Sequence, residues 1–61
     1  MASATQLIQQ GFNSVATFNH RDRAEFRAGF YRKLGHEATV VVAHNSFGVE
    51  FYVVYLKIKE V

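Results

Sequence analysis

The chain contains no cysteine, no proline and no tryptophan. Without cysteine there is no disulfide framework and no thiolate metal site. No apolar stretch approaches the roughly 20 residues that a membrane-crossing helix needs. The opening residues MASATQLIQQ lack the charged start and apolar core of a secretory signal. These absences lead us to expect a cytoplasmic protein with no membrane association. Chemistry is equally thin on the ground. There is no glycine-rich phosphate loop and no metalloprotease motif. Ser14 and Ser46 have no base at a recognisable spacing. The five acids, Asp22, Glu25, Glu37, Glu50 and Glu60, form no pairing suited to acid–base work. His20, His36 and His44 match no metal-ligand spacing. The expectation is therefore no enzyme, no cofactor and no metal.

What is present is a small, apolar, mildly basic domain. Sixty-one residues make one domain. A domain of this size buries only ~60% of its unfolded surface, so pairing with another chain would matter to its stability. Nine aromatics (six Phe, three Tyr) make the chain too apolar for disorder. The net charge of +2 suits a nucleic-acid contact without requiring one.

The longest β-favouring segment is the C-terminal run from Gly48 to Val61, with six apolar or aromatic residues in a row from Phe51 to Leu56. A half-buried strand alternates apolar with polar residues. Here one face carries Tyr52, Val54, Leu56 and Ile58, and the other carries Phe51, Val53 and Tyr55 before Lys57 and Lys59. Both faces are apolar through the middle, as in a central strand covered on both sides. One helix can cover one face. Little chain remains for the other, so a second copy or a partner is expected there.

Ahead of this run, residues 37–44 hold Thr39, Val40, Val41 and Val42 and predict a strand. Asn45, Ser46, Phe47 and Gly48 supply turn chemistry, so the two strands are expected to form an antiparallel hairpin. A helix is predicted over residues 20–34, with Asn19 as its N-cap, Asp22 at the capping-box position, Arg32 and Lys33 in its last turn and Gly35 ending it. Its broad apolar arc consists of a Phe26–Phe30–Leu34 stripe with Ala24, Ala28 and Tyr31 beside it. Residues 1–11 read as an arm or a short helix, followed by a strand from Phe12 to Phe18. The alternative is a single helix over residues 4–17, giving ααββ. The preferred reading is a β-α-β-β domain of the α+β class. Its three-stranded antiparallel sheet has order 2-3-1 and packs on one helix. This grammar is shared by unrelated small modules and implies no activity.

Two surfaces are singled out for function. The first is the sheet, with Phe51, Val53, Tyr55 and Tyr52 as the expected partner interface. This favours a non-enzymatic protein–protein interaction module of the accessory, adaptor or inhibitor kind, homodimeric through its sheet. The second is a set of basic residues: His20, Arg21, Arg23 and Arg27 on the helix, and Lys57 and Lys59 at the C-terminus. These carry the alternative, a small basic nucleic-acid-binding protein with Tyr52 or Tyr55 stacking on bases. Arg23 and Arg27 are unusual, because they fall inside the apolar arc of the helix rather than opposite it. They would either keep their stems along the core edge or reach for an acidic partner.

Overall fold

A computed structural model describes residues 4–59, in the order α1 (Ala4–Gln9), β1 (Asn13–Phe18), α2 (Arg21–Lys33), β2 (Glu37–His44) and β3 (Glu50–Lys57). The three strands form one antiparallel sheet of order β1-β3-β2. This is the β-α-β-β arrangement that the apolar pattern predicts, with the two-faced strand in the centre. The N-terminal segment resolves as a short helix followed by a strand, so the ααββ alternative does not hold. Residues 60 and 61, the end of the C-terminal run, lie outside the described residues.

Local chemistry accounts for the end of α2 and for the hairpin turn. The sequence points to Asn19 as N-cap, but the N-cap of α2 is His20, whose extended backbone (φ −124°, ψ 131°) carries no side-chain cap. Asp22 instead accepts the Arg23 amide through Oδ1 at 3.0 Å, satisfying one free donor of the first turn. At the other end, Gly35 adopts φ +91°. Its amide bonds the Arg32 carbonyl, and the His36 amide bonds the Tyr31 carbonyl. That pair of bonds is the Schellman ending, which requires a left-handed residue at this point.

The hairpin pairs residue for residue from Glu37–Lys57 to His44–Glu50. Its turn is organised by Asn45, whose Oδ1 accepts the amides of Phe47 and Val49 at 2.9 and 3.1 Å. Gly48 has φ +78°. On the opposite edge the β1–β3 register slips between Ser14 and Ala16, a bulge that leaves Val15 out of the regular pairing.

The core lies between α2 and one face of the sheet. Ala24, Ala28, Ala38, Val54 and Leu56 are its buried members, and Ala16, Phe18, Tyr31, Val40 and Tyr52 pack around them. Only the alanine side of the apolar arc of α2 faces the sheet. The alanines are fully buried at 0% exposure, whereas Phe26 is 81% exposed and Phe30 and Leu34 are more than half exposed. The reason is volume matching across the interface. The sheet presents large residues, Phe18, Tyr52 and Leu56, toward the helix. Small side chains on the helix then let the two layers approach.

The second face of the sheet is only partly covered. Leu7 and Tyr55 are buried, yet neither belongs to the helix-side core. Tyr55 alternates to the face opposite Val54 and Leu56. A Cβ on Gly11, just after α1, would sit 3.6 Å from Lys57 Cε on that same face. The short α1 segment therefore lies at the Tyr55–Lys57 end.

Candidate functional site

Phe51, Val53 and Tyr55 share the second face of β3, as their alternation requires. Across the hairpin they stand opposite Ala43, Val41 and Thr39. On the β1 side Val53 meets Thr17 and Tyr55 meets Ser14. Burial is graded along this row. Tyr55 is 9% exposed, whereas Phe51, Val53, Val41 and Ala43 are only half-buried. The open part of the face is thus its Phe51 end. Tyr52, named with them from sequence, lies on the opposite face. It packs against the helix-side core, and its hydroxyl donates to Glu50 Oε2 at 3.4 Å.

The basic residues named from sequence divide between two ends of the molecule. Phe18 pairs with Tyr52, so the start of β3 and the start of α2 share one end. His20, Arg21 and Arg23 stand there, all exposed, and Arg27 follows one turn along the helix. Lys57 pairs with Glu37 at the opposite end, beyond the C-terminus of α2. Lys59 Nζ lies 3.5 Å from Glu37 Oε1, and its amide donates to His36 Nδ1 at 3.2 Å. Arg32 is also committed: Nε and Nη2 both donate to the Ala38 carbonyl, at 3.1 and 2.8 Å. These bonds tie the end of α2 to the start of β2.

His44 reaches the His20 end of the sheet, as the antiparallel hairpin requires. Its Nε2 lies 3.4 Å from Glu50 Oε1. Among the described residues no three His, Cys, Asp or Glu side chains come together as a metal site. The described acids are largely engaged: Asp22 with a helix amide, Glu37 with Lys59, and Glu50 with His44 and Tyr52.

The exposed side of α2 is a feature that the sequence signalled only obliquely. Arg23, Phe26, Arg27, Phe30 and Leu34 form one continuous exposed strip. The Arg27 guanidinium carbon sits 5.9 Å from the centroid of the Phe18 ring, within cation–π range. Phe18, Asp22, Arg23, Phe26 and Arg27 line a shallow open depression of ≈ 480 Å³. Phe30 meets Tyr31 edge-on, with ring centroids 5.7 Å apart. The signal in the sequence was the pair of arginines inside the apolar arc, because Arg is almost never fully buried unless paired. A separate exposed aromatic, Phe47, stands at the hairpin tip with 89% of its surface free.

No helix among the described residues is long and apolar enough to cross a membrane. Comparison with protein-family models, with curated proteins and with solved structures finds no match.

Proposed function

We propose that the chain is a non-enzymatic protein–protein interaction module, of an accessory, adaptor or inhibitor kind, that pairs with a second copy through its sheet. The observation that carries this reading is the second face of the sheet. β3 is apolar on both sides, yet on that face only the Tyr55 end is fully buried, while Phe51, Val53 and Val41 are partly buried. Contiguous apolar surface on a small protein marks a place where another molecule sits. The engaged acids support a structural role for those side chains rather than acid–base work. A cytoplasmic setting accords with a cysteine-free chain.

The edge of β2 supports the same partner by a second route. It is eight residues long, pairs with β3 without a register shift and carries no charge between Glu37 and His44. Edges of this kind invite strand pairing unless something guards them. The other edge, β1, has its bulge.

Nucleic-acid binding remains the alternative, supported by the exposed cluster of His20, Arg21, Arg23 and Arg27. It is weakened by the separation of Lys57 and Lys59 to the opposite end. The solution mass at low and high salt, with and without single-stranded RNA or duplex DNA, separates the two. The interaction module gives twice the 6.9 kDa chain mass in every condition. A nucleic-acid binder gives complexes at low salt that dissociate steeply as salt rises.

A further inference from the structure

We infer that the exposed side of α2 is a docking strip for an acidic amphipathic helix of a partner protein, separate from the sheet surface proposed for self-pairing. The strip runs along Arg23, Phe26, Arg27, Phe30 and Leu34, with Phe18 flooring its first turn. Phe26, Phe30 and Leu34 stand at i, i+4 and i+8, the ridge spacing that an opposing helix accepts. Leaving three large apolar side chains in water is costly for a chain whose core is mostly alanine and small aliphatics. The orientation of α2 makes this exposure unavoidable, because Ala24 and Ala28 must face the sheet.

Charge complementarity identifies the occupant. Arg23 and Arg27 border the ridge, and among the described residues neither has an acidic side-chain partner. The Arg27 guanidinium lies 5.9 Å from the Phe18 ring centroid, which places it beside the depression. A planar guanidinium suits a bidentate carboxylate. A partner with leucine-like residues along one stripe and Glu or Asp beside it would satisfy both ridge and arginines.

Other occupants fit less well. A second copy would bring the same arginines to the strip, and an antiparallel α2 pair centred on Phe30 sets Arg27 against Lys33. A phosphate backbone would leave the apolar ridge of Phe26, Phe30 and Leu34 uncovered. The strip and the open sheet face lie on opposite sides of a two-layer molecule, so both can be occupied at once.

The test is a display selection of random peptides, about four helical turns long, on the whole chain. Selected peptides are then titrated into isotope-labelled protein and followed by amide NMR. The expected peptides are acidic, with apolar residues at helical spacing, and they shift the α2 signals. Phe30→Ala should weaken them by about ten-fold or more, as loss of a central anchor does. The double variant Arg23→Glu, Arg27→Glu should lose acidic peptides and accept versions with Lys in place of Glu. All these positions are exposed, and the dispersion of the NMR spectrum confirms folding of each variant. Four results would each overturn the inference. One is a selection that yields no peptide. Another is peptides that shift only sheet signals, or that are indifferent to Phe30→Ala. A third is single-stranded RNA that displaces the peptides from α2 at equal concentration. The last is a fall in the mass of the free protein on Phe30→Ala, which would mark the strip as a self-association surface.

Discussion

Two single residues hold the C-terminal end of α2 in place, and each makes a prediction. Gly35 adopts φ +91° with nothing within 4 Å of where a Cβ would sit. A side chain there meets no neighbour, so any cost is purely conformational. Gly35→Ala should destabilise the fold by about 1 to 2 kcal/mol, the cost of a left-handed L-residue. Urea unfolding monitored by circular dichroism measures it; an unchanged midpoint would mean that the helix ends some other way. Arg32 donates twice to the Ala38 carbonyl. Arg32→Met keeps the stem and removes both bonds, and should cost about 1.5 to 3 kcal/mol in the same assay. Gly35 was legible in the sequence as a helix stop, because few other residues serve there. The role of Arg32 was not. It read as one more basic residue of the last turn, and its acceptor lies six positions away across a turn whose path sequence spacing does not define.

At the scale of the elements, the strands and their order follow from composition. A run such as Phe51–Leu56, apolar on both faces, belongs in the middle of a sheet, and the middle is where β3 stands. The orientation of α2 did not follow. Two stripes compete on that helix, Ala24–Ala28–Tyr31 and Phe26–Phe30–Leu34, and hydrophobicity alone favours the larger residues. The choice depends on the volumes facing it from the sheet, which is a property of the pair of layers and not of the helix. The contrast is measurable. Phe30→Ala should change stability by no more than about 0.5 kcal/mol, since the ring is exposed. A buried Phe would cost about 3 to 5 kcal/mol. Ala28→Leu should cost about 1 to 3 kcal/mol through overpacking against the sheet. The opposite ranking of these two substitutions in thermal or urea unfolding would mean that the helix is turned the other way.

For the whole molecule, α2 closes one face of the sheet, while on the other Tyr55 is buried and Phe51 and Val53 are only partly so. The sequence made this difference visible before any geometry, since its residues offer one long helix for a strand that is apolar on both faces. The sequence did not reveal that the cover would be divided, with Tyr55 shielded and Phe51 left open, because the placement of α1 rests on Leu7 and Gly11 far along the chain. This division also decides which substitution is informative. A charge at Tyr55 would disturb a buried residue, whereas Phe51→Lys changes only the open end.

The measurement that bears most directly on the central claim is the solution mass of the wild-type chain and of Phe51→Lys, by light scattering over a dilution series. Circular dichroism run alongside confirms that both are folded. Pairing through the open face predicts a wild type at twice 6.9 kDa and a folded Phe51→Lys at the single-chain mass. A wild type that is monomeric throughout the series, or a Phe51→Lys variant that stays dimeric, would contradict it.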